Sequence, residues 1–151
     1  MGKAPYFEDI SVGDEFNDVP AVTLTDGHTA IHQALFGDRS RLPLDLKLSH
    51  KVTGHSSALV SPSLVSNLAI GQSTLPSQRV MGNLFYRGLH FHRSVFVGDT
   101  LRTTTRVVAL RQNKLKEGRP ASGMVALEVH VTNQTGETVL LFWRCPMIPC
   151  E

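Results

Sequence analysis

Cysteine is scarce in the 151 residues: Cys145 and Cys150 are the two present, with no CxxC pair and no Cys/His set at zinc spacing. That usage points away from a disulfide framework or a metal centre and fits a reducing, cytoplasmic setting. No apolar run approaches the ~18 residues a membrane-spanning helix needs, so no membrane association is expected. The opening MGKAPYFEDISVGDEF has one lysine but no apolar stretch and no small-residue cleavage site, so no secretory signal is expected. Charge of one sign is also lacking, with 15 Lys and Arg against 13 Asp and Glu. The basic residues are scattered, which argues against a nucleic-acid partner. What remains is 41% apolar and 19% charged content, the composition of one soluble globular domain over residues 1–151. A chain of this length buries ~68% of its surface on folding, enough for a core without cross-links.

Two similar pentads stand out, Val12-Gly13-Asp14-Glu15-Phe16 and Val97-Gly98-Asp99-Thr100-Leu101. In each, Gly-Asp supplies turn chemistry and an apolar β-former follows, so both read as turns that launch a strand. The first closes a structured stretch over Tyr6 to Phe16. Ala30, Ile31, Ala34 and Leu35 then mark one face of a short amphipathic helix, capped at Thr25 or Asp26 and ended by Gly37. Residues 37 to 60 read as a long loop with one helical turn near Leu44 to Ser49. The strongest helix signal is Ser61 to Gly71, with Ser61 as cap, Pro62 at the first position and Gly71 or Gly82 as terminator. Leu64, Val65, Leu68 and Ala69 share a face, and the interleaved small residues suit a helix enclosed by a sheet.

From Asn83 onward the chain is β-rich. Val125, Leu127, Val129 and Val131 alternate inward against Ala126, Glu128, His130 and Thr132. Gln134-Thr135-Gly136 is a hairpin turn, and the last strand carries Val139, Leu141 and Trp143 on one face. A solvated loop spans Arg111 to Ser122. The sum predicts an α+β hotdog fold, one antiparallel sheet curled around a central helix.

Tyr6-Phe7-Glu8-Asp9 with Val12-Gly13-Asp14, Ala34-Leu35-Phe36-Gly37-Asp38-Arg39, and Phe91 through Val95-Phe96-Val97-Gly98-Asp99-Thr100-Leu101 form an ordered set of segments. Together they resemble the MaoC-like acyl-CoA dehydratases, the hotdog (R)-specific enoyl-CoA hydratase family. Gly118-Arg119-Pro120, Asn133-Gln134 and Gly136 to Leu140 resemble the mesaconyl-CoA hydratase branch in particular. One segment departs. Family hydratases carry Gly-Asp-x-Asn-Pro-x-His, and this chain reads Gly37-Asp38-Arg39-Ser40-Arg41-Leu42-Pro43. The Asp is kept, and Pro43 stands where the His belongs.

The resemblance implies hydration of a trans-2-enoyl-CoA or dehydration of a 3-hydroxyacyl-CoA. No cofactor is expected beyond the coenzyme A of the substrate, and no metal. Such chemistry needs an acid-base pair and donors for the enolate oxygen. Asp38 is the candidate carboxylate, although a turn-capping role after Gly37 also fits. His50 and His55, in the loop over the site, are candidates for the imidazole. Ser40, Ser61, Ser63 and Gly71 are the candidate substrate contacts, with the Ser63 amide at the helix start and Ile70 to Thr74 near the thioester. Local sequence favours helix capping for Ser61 and Ser63. Arg79, Arg87, Lys114, Lys116 and Arg119 are open candidates for the coenzyme A phosphates. His28 and His32, at i, i+4, and His90 and His92, at i, i+2, lack a third ligand and read as ordinary polar positions. One hotdog's length implies a homodimer, or a heteromer with another hotdog subunit. A catalytically degraded subunit that binds acyl thioesters and a hotdog thioesterase are the competing functions.

Overall fold

The computed structural model describes residues 4–151. A 3-10 turn over Phe7–Asp9 leads into β1 (Glu15–Phe16) and β2 (Val22–Thr23). Four helices follow: α1 (Asp26–Phe36), α2 (Arg41–Leu44), α3 (Leu46–Thr53) and α4 (Pro62–Gln72). The chain then forms β3 (Gly82–Phe91), β4 (Thr100–Gln112), β5 (Ser122–Thr132) and β6 (Thr138–Pro149). These strands make an antiparallel sheet in the order β1-β4-β5-β6-β3, with β2 pairing the start of β4. Among the described residues no helix is long and apolar enough to cross a membrane.

Alternation in β5 does what the pattern requires: Val125, Leu127, Val129 and Val131 are fully buried. Val129 and Val131 join Leu101, Leu140 and Phe142 from the neighbouring strands against Val65 and Ala69 of α4, with Leu64 and Leu68 partly covered beside them. A second cluster, Ile10, Val107, Val125, Leu127 and Ile148, is covered by Phe7 and Phe16 of the N-terminal segment. The two Gly-Asp turns are alike in detail. Gly13 and Gly98 both take positive φ, 96° and 102°. Asp14 accepts the Ser11 amide at 2.7 Å and Asp99 the Phe96 amide at 2.8 Å, which fixes each turn ahead of its strand.

Several expectations are corrected. Tyr6 to Phe16 is mostly irregular, with a 3-10 turn over Phe7–Asp9 and just two residues of strand. The segment after Gly37 holds two helices where one turn was expected: the Asp45 side chain accepts the Leu48 amide and starts α3, and Gly54 ends it. The period-2 spacing of Leu42, Leu44, Leu46 and Leu48 hid them. In α1 the apolar face looks outward, with Ile31 63% and Leu35 73% exposed, while His32 is buried at 5%. Helix α4 runs through Gly71 and is capped by Ser73. In β6, Leu140, Phe142 and Arg144 point inward, so Leu141 and Trp143 lie half-buried on the other face.

Candidate active site

The site forms where α1 ends and α4 begins. Gly37 closes α1 in the left-handed region at φ 60°, a conformation that costs glycine no Cβ clash, and its amide donates to the Gln33 carbonyl. The chain reverses there, which brings Asp38 back alongside the last turn of α1 and over the start of α4.

Each carboxylate oxygen of Asp38 has its own task. Oδ1 accepts the Ser40 amide at 2.9 Å and the Ser40 hydroxyl at 2.7 Å, the turn-capping role. Oδ2 accepts a short hydrogen bond from Ser61 Oγ and a longer one from Ser63 Oγ at 3.3 Å. The turn-capping role expected of Asp38 is therefore present, and its second oxygen is held by the serines at the start of α4. The Ser61 hydroxyl, then the Ser40 hydroxyl and amide, hold the Asp38 carboxyl far below the ordinary carboxylate range, and Ser63 adds to this.

Ser61 makes no side-chain cap to α4, contrary to the local expectation. Its hydroxyl is drawn to Asp38 instead, and Ser63 Oγ lies 2.8 Å from Ser61 Oγ. Backbone bonding in α4 begins with the amides of Leu64 and Val65, both donating to the Ser61 carbonyl. Pro62 has no N–H, so the Ser63 amide heads the helix at its positive end.

His32 completes the cluster and was missed at the sequence level. Its Nε2 lies 3.2 Å from Ser63 Oγ, and its ring rests on Phe36 with centroids 4.9 Å apart. The apolar face predicted for α1 at Ile31 and Leu35 concealed it, although the Gly37 reversal after an i, i+4 histidine pair was a usable signal. His28 is engaged elsewhere, with Thr25 at the start of α1. A cavity of about 180 Å³ adjoins the cluster, lined by His32, Gln33, Pro43, Leu44, Ser61 and Leu64. Pro43 thus forms part of the wall that His32 also lines.

The other expected residues lie outside this hydrogen-bonded group. His50 is exposed on α3, and His55 stacks on Phe96 with ring centroids 3.9 Å apart while its Nδ1 accepts the Ser57 amide. Gly71 sits in the last turn of α4, eight residues from Ser63 and about 12 Å along the axis. It lines a separate cavity of about 430 Å³ with Phe16, Pro20 and Leu75. Of the cations, Lys114, Lys116 and Arg119 gather around one cavity of about 430 Å³ with Met81 and Leu84. Arg79 is bound to the Ala4 carbonyl and packs over Tyr6, and Arg87 lies beside Trp143. His90 and His92 meet edge to face, 6.3 Å between centroids.

A central helix enclosed by an antiparallel sheet, with a polar cluster at the helix N-terminus, defines a hotdog domain. A protein of Mycobacterium tuberculosis described as having a double hotdog fold superposes at a TM-score of 0.96 with 50% identity, over 98% of this chain and 45% of that one. Over 145 residues, 95% of this chain, it is 33% identical to the beta-methylmalyl-CoA dehydratase of Chloroflexus aurantiacus. It is 30% identical over the same length to the mesaconyl-CoA hydratase of Cereibacter sphaeroides. The chain spans 40% of the length of each of these two curated relatives. No protein-family model matches it. A MaoC domain protein of Chloroflexus aurantiacus shares the fold at a TM-score of 0.88 and 32% identity. The chain is a hotdog domain similar to the MaoC domain proteins.

Proposed function

We propose that this domain acts in the hydration of a trans-2-enoyl-CoA or the reverse dehydration of a 3-hydroxyacyl-CoA. The observation that carries the reading is the carboxylate of Asp38 held by Ser61 and Ser63 at the N-terminus of the central helix. The positive helix end and the Ser63 amide face the place where negative charge develops on a thioester carbonyl. Asp38 accepts a hydrogen bond from the attacking water and balances the charge of the acid-base machinery. The two relatives named for CoA-linked dehydration and hydration support this substrate class. No cofactor beyond the substrate's own coenzyme A is needed for it.

The domain works as a pair. Strand β3 ends the sheet, and its Leu84, Phe85, Tyr86, Leu89 and Phe91 are each 40% or more exposed. An apolar strand edge of this length invites a second hotdog domain. Coverage of 45% of a double hotdog chain supports the same arrangement. A second copy of this chain is the partner proposed here, with a different hotdog subunit as the competing one. Sedimentation should give a dimer, and a monomer at micromolar concentration contradicts the pairing.

The activity is tested with a panel of short and branched enoyl-CoAs, following loss of the enoyl thioester absorbance. Hydration that Asp38→Asn abolishes supports the reading. Release of free coenzyme A would assign a thioesterase instead, and binding without turnover a degraded subunit.

A further inference from the structure

Asp38 alone is an incomplete acid-base device. Four donors crowd its two oxygens, and their combined effect keeps it ionised. A carboxylate so stabilised accepts a proton weakly, and efficient general base catalysis needs a group that titrates nearer the working pH. Pro43, where related hydratases carry their imidazole, has no proton to give or take. The chain nevertheless brings one imidazole into the cluster, from a different element.

We infer that His32 of α1 is the proton-relay residue of this site, acting through the hydroxyl of Ser63. Four features converge on it. His32 is 5% exposed although it lies on a helix whose leucine and isoleucine face outward. Its Nε2 is 3.2 Å from Ser63 Oγ, which in turn reaches Ser61 Oγ at 2.8 Å and Asp38 Oδ2 at 3.3 Å. Phe36 packs against the ring, tilted by 39°. Finally, His32 and Ser61 share the wall of the cavity of about 180 Å³, room for a small molecule beside the cluster. A histidine that served packing alone would not need a serine that is itself tied to an ionised carboxylate.

This inference rests on the hydratase reading and specifies its proton path. In the hydration direction, water gives a proton to Ser63 Oγ as Ser63 passes its own to His32 Nε2. The water oxygen bonds to C3 of the enoyl group, and the C2–C3 π pair moves to form the enolate. As the enolate collapses, its electron pair at C2 takes a proton from Ser63, which regains one from His32. Imidazole, serine and Asp38 return to their starting states, one water has been added, and nothing is oxidised or reduced. Ser63 touches the reacting atoms, while His32 is the positioning and proton-holding group behind it. The path requires the ring proton of His32 on Nδ1 and the Ser63 hydroxyl turned from Asp38 to His32 Nε2 as the step begins.

Three measurements on the full chain decide the matter. Nitrogen-15 correlation spectra of the imidazoles should show one histidine as the Nδ1–H tautomer with Nε2 as acceptor, perturbed by Ser63→Ala. His32→Gln should lower kcat for enoyl-CoA hydration at least 30-fold with KM within about threefold of wild type, whereas His28→Gln, one turn earlier, should leave both unchanged. His32→Ala should regain at least a tenth of the lost rate in millimolar imidazole, which the enlarged cavity can admit. Rescue of this kind cannot come from a merely structural role. An Nε2–H tautomer, wild-type kcat in His32→Gln, or no imidazole rescue in a His32→Ala protein that unfolds cooperatively overturns the relay. If those results accompany an active wild type and an inactive Asp38→Asn, the relay falls and the hydratase reading stands. A wild type inactive on every enoyl-CoA removes both.

Discussion

Helix α4 ends in two polar clusters built from the same parts and put to different uses. At its start, Ser61 and Ser63 hold the carboxylate of Asp38. At its end, Ser73 and Ser77 hold the guanidinium of Arg144, by bonds of 2.9 and 3.1 Å, with Asn83 completing the set at 3.3 Å. In both places the charge opposes the helix dipole, negative at the N-terminus and positive at the C-terminus. The difference is access. Arg144 is 3% exposed and Ser73 fully enclosed, and burial lowers the Arg144 pKa below the usual guanidinium range. Asp38 is only half-buried, its partner Ser61 borders a cavity and its partner Ser63 meets an imidazole. A sealed charge with every partner in place fastens the helix to the sheet. An accessible one with a titratable neighbour can exchange protons with a substrate.

That contrast separates stability from activity. The largest effect belongs to Asp38→Asn: hydration should fall by about 10²–10⁴-fold, the usual worth of a positioned acid-base group, while unfolding free energy changes by about 1 kcal/mol or less. Arg144→Met should do the reverse. It strands Ser73, Ser77 and Asn83 without their donor and should lower the unfolding free energy by about 3 kcal/mol, read by urea titration. Ser73→Ala, which removes one of those partners, should cost about 1–2 kcal/mol and leave turnover unchanged. The smallest effect is a pH dependence. Because the folded Asp38 pKa is depressed, its contribution to stability is complete above the ordinary value of ~3.9 and is lost as pH falls through the folded value. The stability gap between wild type and Asp38→Asn should therefore narrow as pH is lowered below about 4. A gap that widens there breaks the assignment.

Much of the fold was legible in the sequence because it rests on periodicities that burial enforces. The valines and leucine of β5 alternate in the sequence and are all buried in the structure. Pro62 and the small residues of α4 marked the central helix, and the Gly-Asp pairs marked two turns. Failure came where polar contacts override apolar pattern. The outward Ile31 and Leu35 made α1 look inverted, since an apolar face need not meet this chain's own core. The same error hid His32. Asp38, Ser40, Ser61 and Ser63 were identifiable and come together as a bonded group. His50, His55 and Gly71 stand apart from it, because the two helices α2 and α3 replace the single loop that would have brought those histidines over the site. A three-dimensional contact such as Ser63 with His32, 31 residues apart, leaves no local trace in the chain.

The most direct test of the account places wild type, Asp38→Asn and Arg144→Met side by side, each measured for enoyl-CoA hydration and for urea unfolding. Asp38→Asn should lose turnover with at most a small shift of its unfolding midpoint, while folded Arg144→Met should keep turnover and lose stability. Retained hydration in Asp38→Asn, with a midpoint shifted as far as that of Arg144→Met, would contradict the account.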